Sequence, residues 1–511
     1  MEQVVESNLV TGRLNVANIF QGYNTFSDSG CLSALHGQYD DIGAVLTTQY
    51  RVVTDFESFT RAINLSASAS VSYLGYSVSD KASFAQSLSL TTYSITVIAY
   101  GHKVSENRVA RDVKWREGVE IPTPTTLNAF YQQYGDSFVS QIKRGAEYIG
   151  VYVFYAQSRE EQQSIQNTLA AKGIYDGVTL SASLQSGLSE VQQSVQTRQR
   201  FAQVLYGFKS LKLPSPDNIA SFLDGEFATR EPDAPTVISY ATSGYETALN
   251  TEVFKPIERT RRLFDGQFTS VTLAQVIAKM AYLKNQVEYI GRVYDTYGWN
   301  NENDSTYVNN AKIIESDWSE LSSLITKIYD DPSQQYEIPD LQSLKFGVPE
   351  LNFRINANEP YWGGSGGDAF QDVTYKSVLN QTRIARIVIR GGAYVDRLEV
   401  TYVDGNGKET TWWHGGEGGK ASQPFNLQPR ERLTTISGTA GKYVNQLQFK
   451  TNYEQPFVWP PSPDGAKVFP VLSLNKNQVI LGFQGRSGGY LDQLQPVICT
   501  FSPAVWLESQ Q

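Results

Sequence analysis

The chain has 511 residues, 41% hydrophobic, 12% aromatic and 19% charged, the composition of a folded protein too long for one compact core. Its 43 Lys and Arg against 52 Asp and Glu give a net charge of -9, which argues against a nucleic-acid partner and against docking on anionic lipid by charge alone. Two cysteines, Cys31 and Cys499, cannot make a disulfide framework, and no apolar run reaches the ~18 residues of a membrane helix.

The first residues, MEQVVESNLV, have neither a positive n-region nor an apolar h-region, so no secretory signal is visible and a soluble chain is expected. Serine- and glutamine-rich segments dominate residues 60–200. In INLSASASVSY, 63–73, Ile63, Leu65, Ala67, Ala69, Val71 and Tyr73 alternate with Asn64, Ser66, Ser68, Ser70 and Ser72. Period two predicts a strand, because successive strand side chains point to opposite faces. Val78, Ala82, Ala85 and Leu88 then fall at helical spacing, and Tyr93, Ile95, Val97 and Ala99 return to period two. The same mixture recurs further on. Ile165 and Leu169 read as helix, Val178, Leu180, Ala182, Leu184 and Leu188 as strand, and Val191, Val195, Ala202 and Leu205 as helix again.

A helical zone follows. Thr272 and Gln275 form a capping box ahead of Leu273, Val276, Ile277, Met280, Leu283, Val287, Ile290 and Tyr294, and a second stripe carries Ile314, Trp318, Leu321, Ile325 and Ile328. Both stripes are expected to be core. Residues 330–360 hold four prolines and no sustained periodicity, so a domain boundary is expected there, with 346–360 as linker. Beyond it, Gly391-Gly392-Ala393-Tyr394-Val395-Asp396, Ala440-Gly441-Lys442-Tyr443-Val444-Asn445 and Gly488-Gly489-Tyr490-Leu491-Asp492 repeat one motif. Three similar β units suggest a three-sided prism of sheets. Turns explain the glycines; they do not explain the recurring acid.

Enzyme chemistry is hard to assemble. His36, His102 and His414 lie far apart with no metal-ligand spacing. Gly485-Arg486-Ser487-Gly488-Gly489 fits the G-x-S-x-G elbow, but no His follows it. GGEGGK at 415–420 has His414 where a phosphate loop needs its first glycine and Ala421 where it needs Ser or Thr. No catalytic residue, metal or cofactor is expected.

YWGGSGGDAFQD, IRGGAYVDRLEV and GFQGRSGGYLDQL, within 361–511, resemble the jacalin-related lectin domain, a β-prism that binds sugars. The resemblance implies one carbohydrate site at Gly367, Gly489, Tyr490 and Asp492, and a second at Gly392, Ala393, Tyr394, Asp396 and Gly419; Asn445 replaces the acid of a third. A short carboxylate on a tight glycine loop suits this task, since it accepts charge-assisted bonds from vicinal hydroxyls.

Tyr134, Gly135 and Phe138 in YGDSFV, with Gly145-Ala146 after them, resemble the signature of the membrane attack complex/perforin (MACPF) family, with Asp136 and Ser137 at its Thr and His positions. For residues 1–345 this implies an α+β domain with a bent central β-sheet, opening at Gly145, and flanking helix clusters. It also implies that 63–100 and 163–205 refold into amphipathic hairpins, apolar faces to lipid, and line a barrel shared by many subunits. The expected partners are membrane glycans on lipid or protein, of mannose type among others, a target-cell bilayer, and further copies of the chain. The alternatives are a non-lytic glycan-binding protein with a MACPF-like assembly domain, and a glycan hydrolase with a lectin module, for which no carboxylate pair can be assigned.

Overall fold

The computed structural model describes all residues except 1–3, 10–15, 17, 55–57, 60–61, 64–83, 86–87, 89, 91–93, 157–158, 175–180, 195–197, 250–251, 266–270, 300–302, 357–359, 406, 462–466 and 508–511. It divides into two compact units: Met1–Lys284 with Ile313–Lys345, and Asn285–Lys312 with Phe346–Gln511.

The first unit is built on one nine-stranded sheet. Its strands are β1 (Val4–Leu9), β2 (Gly22–Asn24), β3 (Ser29–Gly30), β4 (Leu35–Asp41), β5 (Val45–Val53), β6 (Ser94–Trp115), β7 (Ser137–Tyr155), β8 (Arg198–Tyr206) and β9 (Thr236–Gly244). β6 and β7 run antiparallel at the centre. β4 and β5 follow one another along β6, and β8 and β9 along β7. The longer helices are α1 (Leu127–Tyr134), α2 (Arg159–Ala171), α3 (Ser181–Ser194), α4 (Lys255–Asp265), α5 (Leu273–Tyr297) and α6 (Ser305–Asp330); of the last two, α5 up to Lys284 and α6 from Ile313 belong to this unit.

Two apolar layers sandwich the sheet. On one face Ile98, Tyr100, Ile149, Val151, Val153, Ala202 and Val204 pack with Phe59, Ala62, Ile63, Phe84, Ala85 and Leu88 from the β5–β6 connection. On the other, Ile95, Val97, Ala99, Tyr148, Tyr152, Phe154, Phe201 and Leu205 pack with Ile165, Leu169, Ile174, Leu184, Leu188 and Val191 from the β7–β8 connection. Each such buried aliphatic side chain contributes about 1.5–3 kcal/mol.

Of the expected strand 63–73, Ile63 is buried and described as a turn residue, and 64–73 lie outside the described residues, as do Val78, Ala82 and Tyr93. Ala85 is helical, and Ile95, Val97 and Ala99 are in β6. The strand expected over 178–188 is overturned: Ala182, Leu184 and Leu188 belong to α3, while Val178 and Leu180 are outside the described residues. Leu184, Leu188 and Val191 also satisfy an i, i+4, i+7 stripe, and packing on α2 decides for that period. The helix expected at Ala202 and Leu205 is β8. A strand buried on both faces loses its alternation, so its sequence carries no period.

The capping box is present: Thr272 N donates to Gln275 Oε1 at 3.0 Å and Gln275 N to Thr272 Oγ1 at 3.2 Å. Residues 346–360 are not a bare linker, because Val348–Asn356 form β10, an edge strand of the second unit. Leu351, Phe353 and Ile355 alternate between the prolines, and Pro349 is tolerated at a sheet edge.

The second unit is a prism. β10, β11 (Trp362–Gly363) and β12 (Asp368–Gln371) begin the first sheet. β13 (Arg383–Gly391), β14 (Val395–Val403), β15 (Glu409–Gly415), β16 (Lys420–Ala421) and β17 (Phe425–Asn426) make the second. β18 (Leu433–Ala440), β19 (Val444–Thr451), β20 (Pro456–Trp459) and β21 (Lys467–Ser473) make the third, and β22 (Gln478–Ser487) and β23 (Leu491–Leu507) return to close the first. Each sheet touches the other two. Trp362 stacks on Phe469 at 4.3 Å and Phe425 on Phe457 at 4.9 Å, so aromatic rings join the sheets along the core. Asn285–Lys312 adds a helical tip in which Tyr297 Oη donates to Thr382 O at 2.7 Å and Ala504 N to Asp304 Oδ2 at 2.6 Å.

Candidate functional site

The three repeats are the turns of the three hairpins β13–β14, β18–β19 and β22–β23. In each, the Gly N–H donates to the carbonyl of the Tyr two residues on: Gly392 to Tyr394, 3.0 Å; Gly441 to Tyr443, 2.9 Å; Gly488 to Tyr490, 3.0 Å. One turn geometry is therefore used three times, and the differences lie in what faces it.

Asp492 faces the loop Gly363-Gly364-Ser365-Gly366-Gly367. Gly364 N donates to Asp492 O at 2.8 Å. Gly367 has φ +67°, and a Cβ on it would sit 2.7 Å from Asp492 Oδ2; one on Gly366 would overlap Oδ1. Only glycines allow this approach. Asp396 faces Gly415-Gly416-Glu417-Gly418-Gly419 in the same way: Gly416 N donates to Asp396 O at 2.7 Å, Gly419 has φ +64°, and Cβ atoms on Gly418 and Gly419 would overlap the carboxylate. An arginine holds each loop. Arg486 donates to the carbonyls of Gly366, 3.1 Å, and Gly367, 2.6 Å; Arg390 donates to Gly418, 3.3 Å, and Gly419, 3.5 Å. Partial burial pushes the Asp396 carboxyl up, and Arg390 pulls it back.

The expected site residues thus fall into two sets. Gly367, Gly489, Tyr490 and Asp492 come together, as do Gly392, Ala393, Tyr394, Asp396 and Gly419. Gly489 and Gly392 face open space and Ala393 is exposed, so each forms an accessible rim. Gly366, Gly418, Arg390 and Arg486 were missed; aligning WGGSGGD (362–368) with HGGEGGK (414–420) would have found the glycines. The third unit carries Trp459-Pro460-Pro461 at the matching place, Thr439 in place of the arginine and buried Asn445 in place of the acid. Proline has no N–H to offer, so this loop cannot repeat the site.

The Ser487 of the G-x-S-x-G match lies in β22 opposite Leu491, in a hairpin and not at a strand-to-helix turn. His414 donates to or accepts from Asp372 at 2.6 Å beneath Phe370, a buried pair inside the prism.

Tyr134, Gly135 and Phe138, expected from the sequence to form a MACPF signature, occupy the junction of α1 and β7. Gly135 has φ +80°, and a Cβ on it would overlap the Tyr23 carbonyl. Tyr134 and Phe138 join an aromatic cluster: Phe130 to Tyr134, 4.8 Å; Phe130 to Tyr245, 5.2 Å; Phe138 to Tyr245, 6.0 Å. Gly145 lies beside the register shift between Val104 and Glu106, where a Cβ would overlap the Lys103 carbonyl. Close backbone approach therefore accounts for this glycine. Asp136 is fully enclosed and accepts from Thr25 N and Oγ1, both at 2.7 Å, while Arg261, paired with Glu246, donates to its backbone carbonyl at 2.9 Å.

Burial pushes the Asp136 carboxyl up, against the pull of Arg261 and the Thr25 bonds. An acid raised in the folded state contributes stability that is full below the ordinary carboxylate range and is lost as pH rises through the raised value. Asp136→Asn removes that titration, so its stability relative to the parent is expected to improve from pH 4.5 to pH 8. Urea unfolding at the two values checks this; a pH-independent difference would contradict it.

A second feature is where the long connections leave the sheet. Val53 pairs with Thr96, Thr96 with Val153, and Val153 with Arg200. The ends of β5, β6, β7 and β8 therefore form one row, from which 54–93 and 156–197 both depart and return. Among the described residues no helix is long and apolar enough to cross a membrane.

Three β-sheets closed into a prism, with carboxylates seated on paired glycine loops, define a lectin-type module. Residues 360–496 match the family model of the jacalin-like lectin domain, and this part of the chain is such a domain. It is similar to jacalin-related lectin 3 of Arabidopsis thaliana, 30% identical over 145 residues that cover 26% of this chain and 22% of that protein. A mannose/glucose-specific lectin of Parkia pendula is 32% identical over 145 residues, covering 26% and 30%. Among solved structures, a mannose-binding lectin from champedak is 29% identical, covers 30% of this chain and 97% of that one, and superposes with a TM-score of 0.24. The chain spans less than a third of the length of the two curated relatives.

Proposed function

We propose that the protein binds glycans, of mannose type among others, on a target-cell membrane through Asp396 and Asp492, and that its first unit then assembles with further copies and inserts hairpins as a β-barrel pore. The glycan part is carried by the two carboxylates seated on Gly366-Gly367 and Gly418-Gly419, and it accords with the mannose/glucose specificity of the Parkia pendula lectin. In this reading the chain acts by binding and refolding and is not an enzyme.

The pore part, and with it the MACPF-like reading of residues 1–345, is supported by the common row of strand ends. Segments 54–93 and 156–197 connect neighbouring antiparallel strands, so each could lengthen an existing ladder without moving the sheet. Each is long enough to supply two strands of the ~9–11 residues a tilted transmembrane strand needs. Unpaired edges cannot face lipid, which is why many copies must close the barrel.

The test is dye release from vesicles carrying mannose-rich glycolipid, with ring-shaped oligomers sought by microscopy. Release that requires the glycan supports the proposal. Binding without release sinks the pore and leaves the non-lytic glycan-binding reading.

A further inference from the structure

Three tyrosines meet where the repeats converge. Tyr394 and Tyr443 have ring centroids 5.4 Å apart, Tyr394 and Tyr490 5.6 Å, and Tyr443 and Tyr490 4.9 Å. Each comes from a different hairpin, and all three are partly exposed. The loops around them abut in a ring: a Cβ on Gly416 would approach Gly489 O to 2.5 Å, one on Gly364 would approach Lys442 O to 2.5 Å, and one on Gly391 would meet Pro460 at 3.4 Å. The glycine loop of the Asp396 site thus touches the rim of the Asp492 site, with the aromatic triangle beside both. The third loop keeps its tyrosine although it has lost the acid, the arginine and the glycine pair. There it packs against the tyrosines of both carboxylate loops.

We infer that the two carboxylate loops and the three tyrosines form one bivalent face that takes a single branched oligosaccharide, its two terminal sugars on Asp396 and Asp492 and the branch-point sugar on the rings. Tyr443 is the specificity-determining residue of this face. A pyranose offers an apolar C–H surface that packs against aromatic rings, and tethering two ends converts the second binding event into an intramolecular one, worth about 10²-fold or more in affinity when the span fits. The inference rests on the sugar-site reading above.

Calorimetry of the full chain with methyl α-mannoside and with the 3,6-branched trimannoside tests it. The expected result is two monosaccharides but one trimannoside per chain, with the trimannoside about 10²-fold tighter. Tyr443→Ala should lower trimannoside affinity about tenfold with monosaccharide binding unchanged, and Tyr443→Phe should restore it, because stacking needs the ring and not the hydroxyl. Two trimannosides per chain at monosaccharide-like affinity would overturn the bivalent face, whatever the variants do. Equal effects of Tyr443→Ala on both ligands would remove Tyr443 from it. No heat with either sugar would overturn the sugar sites themselves and this inference with them.

Discussion

Replacing both Asp396 and Asp492 by alanine is expected to abolish glycan capture by the full chain while leaving the prism folded. On the proposed reading each carboxylate accepts two bonds from sugar hydroxyls, and bonds to a charged acceptor contribute about 1.5–3 kcal/mol each. Losing them should weaken a site by two decades or more. The surrounding loops do not depend on the carboxylates, because Gly364 and Gly416 bond to the backbone carbonyls of Asp492 and Asp396. Retention on immobilised mannose, with thermal unfolding as the control, gives the answer. Unchanged retention with the melting profile intact would remove both sites, and vesicle release should disappear with retention if targeting runs through them.

The second large effect concerns the 156–197 connection. A Cβ on Gly187 would stand 3.3 Å from Lys172 Cβ, close to the spacing of a disulfide, and would overlap only the Cδ1 tip of Ile174, which has to turn aside. Lys172→Cys with Gly187→Cys should therefore cross-link α3 to the turn after α2. Tyr155 pairs with Arg198, so a ladder continued in that register puts residue 172 opposite residue 181. Residue 187 would then be about 20 Å further along, at ~3.3 Å per residue, and the bridged segment could not extend. Oxidised protein should bind glycan vesicles normally and release no dye, and a reductant should restore release. Full release while oxidised would exclude refolding of this segment.

Locking has this effect because the segment is well held. Ile165, Leu169, Ile174, Leu184, Leu188 and Val191 are all buried against the sheet, so detaching them costs on the order of 10 kcal/mol at ~1.5–3 kcal/mol per side chain. Only a comparable gain from lipid and from neighbouring copies could offset that.

The prism was legible in the sequence because its signal is local. Gly392-Ala393-Tyr394-Val395-Asp396 and its counterparts sit on single hairpin turns, so one short motif fixes both the backbone and the carboxylate. The opposing glycine loops were only half legible. Gly366 and Gly418 belong to segments remote from the aspartates they contact, and that pairing exists only after the sheets close. The helical zone was read correctly through its cap. Within 163–205 the helical readings at Ile165, Leu169 and Val191 hold, but the strand expected over 178–188 and the helix expected at Ala202 and Leu205 do not, since Leu184 and Leu188 fit two periods at once and β8 is buried on both faces. Strand β10 was hidden by Pro349 and Pro360, which read as boundary residues when one of them only marks a sheet edge.

The row Val53, Thr96, Val153 and Arg200 also bears on rate. A β-hairpin formed in isolation must first close its loop, which is the slow, entropically costly event in making strand pairs. Here the ladder at the base of both connections already exists, so extension would propagate pair by pair from a finished nucleus. Onset of release should then follow the detachment of α2 and α3 and be insensitive to added Ser-Gly residues at the tip of 156–197. A lag that lengthens with each insertion would place nucleation, and not detachment, at the bottleneck.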